Sequence, residues 1–347
     1  MTRKEQLQAL LADRILIIDG AMGTMIQQRK LIEADYRGTK FADVTKELKG
    51  NNDLLVFTRP DVVRDIHAQY LDAGADIIST NTFNATSISQ SDYGLEQHAR
   101  ALNLEAAKLA RSVCDEFTRK SPDKPRFVAG ALGPTTRSAT FAPDVNDPSS
   151  RNVTFDDLVA AYYEATDGLV EGGADILLVE TIFDTLNAKA ALFAVEKYFA
   201  DHGGEKLPIM VSMTVDQSGR TQISGQSVEA VYAAVRHAEP ISIGFNCALG
   251  ADLLRPHLQA LAKVSSLPIS CYPNAGLPNP LSDTGYDETP STTSKYLGEF
   301  ASNGWVNIVG GCCGTTPEHI RAIAQSVRTH KPRDAASALA VQAAEIA

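Results

Sequence analysis

The chain has 347 residues, 44% hydrophobic and 21% charged, which is the composition of an ordinary globular protein with room for one large domain or two smaller ones. A formal net charge of −10 argues against a nucleic-acid partner, because a phosphate-binding surface leaves a basic signature. No apolar run is long enough to span a bilayer and residues 1–14 lack the apolar core of a signal peptide, so the sequence points to no membrane and to a cytoplasmic setting.

Short apolar runs alternate with helical patterns along the whole chain. Candidate strands fall at 15–19, 76–80, 127–131, 175–180, 209–214, 241–246, 268–272 and 306–309. Several are apolar without alternation, as strands covered on both faces are. Eight such runs, each followed by a candidate helix, predict an α/β fold, a (β/α)8 TIM barrel.

The helix boundaries are readable. After Pro60 and Asp61, residues Val62, Ile66 and Tyr70 recur at helical spacing, with Gly74 where a C-terminal cap belongs. Thr154 and Asp157 form a capping box ahead of Leu158, Ala161, Tyr162, Ala165 and Leu169, and Gly172-Gly173 mark the stop. Thr316-Pro317 opens the last helix, whose inward residues are Ile320, Ala324 and Val327. Two segments look alike, Asp72-Ala-Gly-Ala-Asp-Ile77 and Glu171-Gly-Gly-Ala-Asp-Ile176, each ending a helix and launching a strand.

Three connections exceed the usual short loop: 22–59, 133–152 and 273–289. All follow strands, which places them on the face where barrels carry their chemistry. The expected organisation is one barrel over residues 1–330 and an Ala-rich tail or linker start over 331–347.

Five cysteines, Cys114, Cys247, Cys271, Cys312 and Cys313, are too few and too scattered for a disulfide framework. Cys312 and Cys313 stand between glycines in Val309-Gly-Gly-Cys-Cys-Gly-Thr-Thr-Pro317, where a strand gives way to a helix. A bridge between them is geometrically poor: consecutive Cα atoms lie about 3.8 Å apart, inside the ~4.4 Å lower limit of usual disulfides. Cys247 ends another strand, and strand ends of one barrel converge. Three thiolates suit a zinc ion with an open fourth position, the arrangement of a catalytic site. The residues alone leave a second reading open, with Cys247 a small buried hydrophobe and Cys312-Cys313 a tight turn. Cys114, within a helix, and Cys271, within a strand, read as packed core.

Asp19 ends the first strand and Glu180 the fourth. Taken alone, they read as a turn cap and half of an ion pair. Carboxylates at two barrel mouths can equally pair with a ligand ammonium, and backbone N–H groups near Gly20 and Ala21 with its carboxylate. Asn246, beside Cys247, reads equally as an orienting group and as a satisfied structural amide. Asp65-Ile-His67 starts like a cobalamin-binding Asp-x-His-x-x-Gly pattern, but Tyr70 stands where the glycine belongs, and the pattern is rejected.

Asp19-Gly-Ala-Met-Gly-Thr24, Thr80-Asn-Thr-Phe-Asn84, Val179-Glu-Thr-Ile-Phe-Asp184, Gly244-Phe-Asn-Cys-Ala248 and Gly310-Gly-Cys-Cys-Gly314 together resemble the homocysteine S-methyltransferase family. Lys49-Gly-Asn-Asn-Asp53, Pro143-Asp-Val-Asn-Asp-Pro148 and Pro273-Asn-Ala-Gly-Leu-Pro278 are similar to the N-terminal module of its cobalamin-dependent methionine synthase branch. The resemblance runs to about Lys331. It implies that Cys247, Cys312 and Cys313 hold zinc, that homocysteine sulfur takes the fourth position, and that Asp19, Glu180, Gly20 and Ala21 hold the amino acid. With no corrin- or folate-binding module recognisable beside the barrel, it implies that methylcobalamin is supplied by a partner domain or subunit, giving methionine. Alternatives are a stand-alone methyltransferase using S-methylmethionine or betaine, and a noncatalytic homocysteine-binding docking subunit. A zinc hydrolase fits less well, since three cysteine ligands suit thiolate activation better than water activation.

Overall fold

The computed structural model describes residues 2–281 and 285–335. Eight parallel strands form one sheet: β1 (Leu16–Ile17), β2 (Ile77–Ser79), β3 (Phe127–Leu132), β4 (Ile176–Ile182), β5 (Ile209–Met213), β6 (Ser242–Gly250), β7 (Ile269–Asn274) and β8 (Ile308–Val309). The order is β1-β8-β7-β6-β5-β4-β3-β2, and a parallel bridge from Ile18 to Ile77 brings its two ends together. Helices Pro60–Ala73, Ala99–Lys120, Phe155–Glu171, Thr185–His202, Val228–Val235, Ala251–Val264, Pro290–Ser302 and Pro317–Val327 follow the strands in turn. The fold is the expected (β/α)8 barrel.

Period-two alternation divides the core into two layers. Leu16, Ile18, Ile77, Phe127, Ala129, Ile176, Leu178, Met210, Tyr272 and Ile308 point inward and pack as one cluster. Their neighbours Ile17, Ile78, Val128, Leu177, Val211, Ile243 and Val309 face the helices in a larger one. The inner cluster also contains Leu7 and Leu11 of an N-terminal helix, Arg3–Asp13. That helix, held by a Thr2–Glu5 capping box, therefore plugs the barrel at the N-terminal ends of its strands.

The two similar segments share a job at this closed end. Asp76 and Asp175 stand just before β2 and β4. Asp76 accepts the Ile17 N–H at 2.9 Å and pairs through both oxygens with Arg14, at 2.8 and 2.9 Å. Asp175 accepts the Val128 N–H at 2.8 Å and pairs with Arg3 and Arg111. Each carboxylate satisfies the donor of an adjacent strand's second residue while an arginine neutralises it. Arg333 also seals this end, buried and donating to the carbonyls of Ala262, Ser265 and Leu267. Residues 336–347 of the expected Ala-rich tail lie outside the described residues.

At the opposite end, connection 22–59 is not a plain loop. It contains short helices Met22–Gln28, Glu33–Arg37 and Leu55–Thr58 and a 3-10 turn, Asn52–Leu54. The 133–152 connection runs without helix or strand over the rim, exposing Phe141 and Val145. No helix among the described residues is long and apolar enough to cross a membrane.

Candidate active site

The turn after β8 is shaped by its neighbours. Gly311 N–H donates to the Asp19 carbonyl at 3.2 Å, Cys312 N–H to the Pro273 carbonyl at 2.7 Å, and Ala275 N–H to the Cys313 carbonyl at 2.9 Å. Gly314 has φ +81°, and a Cβ there would meet the Tyr286 ring at 2.4 Å, so glycine is required on both counts. Cys312 and Cys313 are thus presented by backbone bonds from the connections that follow β1 and β7.

Cys247 reaches the same point from β6. It and Ala248 are held at φ +61° and +58°, and across the barrel Thr181 at the end of β4 has φ +56°. Asn246 ties these strained ends together. Its Oδ1 accepts the Thr181 N–H at 3.1 Å and the Ser212 hydroxyl at 2.7 Å, while its Nδ2 donates to Thr181 Oγ1 at 2.7 Å and approaches Cys312 Sγ at 3.9 Å. Both readings of Asn246 therefore hold: it is a satisfied amide, and it orients the cysteine loop.

The sulfurs of Cys247, Cys312 and Cys313 lie within 4.8 Å of one another, and Cys247 Sγ is 3.7 Å from Cys313 Sγ. All three are partly exposed to the cavity and none is in a disulfide. Hydrogen bonds from the other two cysteines pull the Cys313 thiol down. Cys114 and Cys271 lie elsewhere, fully buried, and desolvation pushes both thiols up to about 12. His67 is buried in its helix, with neither ring nitrogen hydrogen-bonded among the described residues, and burial pulls it down to about 4.

The cysteines form one wall of a cavity of about 320 Å³ that also contains Asp19, Gly20, Ala21 and Glu180. Asp19 accepts the Ser79 N–H at 2.9 Å and the Ser79 hydroxyl at 3.1 Å. Desolvation nevertheless pushes its carboxyl up to about 8, with the nearby Glu180 adding to the rise. Burial takes Glu180 to about 7, opposed by the Tyr272 hydroxyl and reinforced by Cys313. A third acid, Asp53, lines the far side and is raised to about 7 by burial. Ala21 N–H is turned toward Thr315 Oγ1 at 3.3 Å, a long contact that orients the N–H and leaves it able to take a second acceptor such as an incoming carboxylate.

Among the described residues lining this cavity there is no Lys, Arg or His. Three thiols and three carboxyl groups face one another without a compensating side chain. A cation entering such a site meets no like charge from the lining side chains, and the two kinds of donor separate by softness: thiolates suit zinc, carboxylates suit an ammonium.

The family model for homocysteine S-methyltransferase matches residues 16–327. The chain belongs to this family. It is a methyltransferase acting on homocysteine, as the family's members are. Among solved structures it is similar to the homocysteine methyltransferase MmuM from Escherichia coli. The metallated form shares 23% identity at a TM-score of 0.70, covering 93% of this chain and 99% of that one. The oxidised form shares 22% at 0.70, covering 94% and 99%. At this identity the likeness is one of fold.

In this homocysteine S-methyltransferase family member the cavity also has members that sequence patterns alone did not mark. Tyr272 and Tyr286 line it, with the Tyr272 hydroxyl directed at Glu180. Asp53 and Asn84, present in the motifs, meet there through a 3.0 Å bond from the Asn84 N–H to Asp53 Oδ2. Tyr272 had a usable signal, since it alternates with the core residue Cys271 on β7 and so faces the barrel interior.

Proposed function

We propose that this chain activates the homocysteine thiol on a zinc ion held by Cys247, Cys312 and Cys313, and passes it a methyl group from cobalamin carried by a partner domain or subunit. One observation carries the metal assignment: a soft three-sulfur cluster faces buried carboxyls in a cavity with no cationic side chain. When bound, zinc supplies Lewis acidity that makes a coordinating thiol a thiolate near neutral pH.

The chain's own residues do the rest. Asp19 and Glu180 take the substrate ammonium, and the Gly20–Ala21 backbone takes its carboxylate. Fixing both ends of the amino acid leaves its side chain one direction, toward the cysteines. The sulfur then attacks the methyl carbon in line; the S–C bond forms as the donor leaves with the electron pair of the bond it loses. Because the acids surround the cavity, a mercaptan bearing only a negative group is repelled.

The rim supports a protein-borne donor. Of the eight large apolar side chains exposed among the described residues, seven stand on connections that follow strands: Ile32, Phe83, Phe141, Val145, Ile223, Leu277 and Leu281. These connections stand on the same end of the barrel as the cysteines, so a donor domain approaching the cavity meets apolar side chains. The Asp144 and Asp147 carboxylates shape this rim locally, accepting the N–H groups of Asn146 and Ser149.

A second reading has support too. The cavity of about 320 Å³ extends past the cysteines to Asn52, Asp53 and Asn84, which leaves room for a small direct donor such as S-methylmethionine or betaine. Rates with free methylcobalamin, a cobalamin-loaded partner, S-methylmethionine and betaine decide between them. Turnover with a small donor alone refutes the cobalamin reading. Zinc and homocysteine binding without turnover on any donor points to a docking subunit. Altering Asp144 and Asp147 should slow only the protein-borne donor; equal loss with free methylcobalamin would indicate damage to the zinc site or the fold, and no loss with either donor would remove this loop from the docking face.

A further inference from the structure

The turn that carries the cysteines and the loop that carries Asp19, Gly20 and Ala21 are bonded to each other through one buried hydroxyl. Thr315 is fully buried, and its Oγ1 donates to the Cys312 carbonyl at 2.7 Å while facing the Ala21 N–H at 3.3 Å. Four further contacts, two of them from one tyrosine, run in parallel. Tyr70 hydroxyl lies 3.1 Å from the Ala21 carbonyl and 3.2 Å from the Thr315 carbonyl, Thr24 Oγ1 accepts the Gly314 N–H at 2.9 Å, and Gly311 N–H donates to the Asp19 carbonyl. The packing is tight: a Cβ on Gly20 would stand 2.8 Å from Thr315 Oγ1, and one on Gly311 2.5 Å from it.

We infer that Thr315 is a positioning residue through which filling the cysteine cluster with metal prepares the amino-acid loop. This rests on the zinc–homocysteine reading above and adds a route between its two halves. A metal that fixes the Cys312 side chain also fixes the Cys312 carbonyl, because the two share one residue. The Thr315 hydroxyl then has a fixed acceptor, its lone pair a fixed direction, and the Ala21 N–H a fixed partner. Ordering that the loop would otherwise undergo on substrate capture is already done, so the second ligand binds more tightly with no gross change of shape. The coupling is reciprocal: whatever factor zinc contributes to amino-acid affinity, the amino acid contributes to zinc affinity.

Homocysteine itself cannot reveal this route, since its sulfur is expected to touch the metal directly. The probe is α-aminobutyrate, which keeps the ammonium, carboxylate and chain but has hydrogen in place of the thiol. Its dissociation constant is measured by calorimetry on the zinc-free reduced protein and on the zinc-loaded protein. Zinc affinity is measured by chelator competition with and without α-aminobutyrate. In the unaltered chain both ratios are expected to agree at about 5-fold or more, the usual lower range for coupled sites. Thr315→Val keeps the shape and removes the hydroxyl, so its ratio should fall toward one. Thr315→Ser restores the hydroxyl and should restore the ratio, which a merely space-filling role would not require. Any direct field of the ion on the ligand ammonium is common to all variants and cancels in the comparison. Thr24→Val, which removes the acceptor for Gly314 N–H, gives a second cut should Thr315→Val fail to fold, and its ratio should also drop. Equal ratios in the unaltered chain and in the valine variants overturn the inference while leaving the zinc reading intact. Failure of the unaltered chain to take up zinc at its cysteines overturns both.

Discussion

Replacing Asp19 by Asn or Glu180 by Gln removes a charge at nearly constant shape, and the structure sets how much that should cost. A hydrogen bond between charged groups is worth about 1.5–3 kcal/mol, or roughly 10- to 150-fold in affinity. The empty pocket works against this gain. With Asp19 raised to about 8, most molecules carry it protonated at pH 7, and ionising it costs about 1.4 kcal/mol, one pH unit's worth. Homocysteine affinity of the zinc-free protein should therefore rise as pH increases from 6 toward 8.5, through the values of Glu180, about 7, and Asp19, about 8. Asp19→Asn should flatten that rise and cost about 10-fold at pH 8.5, with a smaller loss at pH 6.5. Titration calorimetry at three pH values reads both effects. With zinc loaded, ethanethiol, which lacks the amino group, should lose less than about 2-fold in either variant. An equal loss for ethanethiol, or a loss independent of pH, would refute the assignment of these carboxyls to the ammonium.

Cys247→Ala, Cys312→Ala and Cys313→Ala should each lower zinc content from about one ion per chain and abolish methyl transfer, whereas Cys114→Ala and Cys271→Ala should keep their zinc; elemental analysis decides, and full occupancy in Cys247→Ala would sink the ligand set. The raised Asp19 carboxyl also links stability to pH: its contribution is fully present below the unfolded value near 4 and is lost as pH rises through about 8, at up to ~1.4 kcal/mol per unit. Denaturant unfolding of the zinc-free protein should show this slope between pH 5 and 8 and a shallower one in Asp19→Asn; identical slopes would contradict it. Asn246→Ala strips partners from the Thr181 N–H and the Ser212 hydroxyl, so it should destabilise by about 2–3 kcal/mol and weaken zinc binding, read by unfolding and chelator competition.

The strands were legible because short apolar runs covered on both faces have few other uses, and 127–131 and 209–214 fall almost residue for residue on β3 and β5. The errors have separate physical sources. β1 and β8 shrink to two residues each, since β2 meets β1 through one bridge and ladder bonds define the ends. β4 and β6 run past their expected ends through register shifts, where Thr181, Cys247 and Ala248 adopt left-handed backbone that no glycine announces. The N-terminal plug was readable in principle, from Thr2-x-x-Glu5 followed by Leu7 and Leu11. The short helices inside 22–59 were not: their N-caps at Ala21, Ile32 and Leu54 are residues with no side-chain oxygen to signal a start. At the site, glycines flanking Cys312-Cys313 and strand ends carrying Cys247, Asp19 and Glu180 made the cluster visible. Thr315, Tyr272 and Tyr286 acquire meaning only when distant segments meet.

The left-handed residues around the cavity set a limit on how this protein can be improved. Each costs about 1–3 kcal/mol and stands near the C-terminal end of β4 or in the second half of β6. A search for heat-resistant variants would find relief at Ala248, where glycine removes the steric penalty; at Thr181 glycine also removes the Oγ1 that accepts from Asn246, and at Cys247 relief removes the sulfur. Selection for robustness and selection for chemistry therefore pull in opposite directions at 181 and 247, and a hardened descendant should differ from this chain first at 248 while leaving 247 untouched.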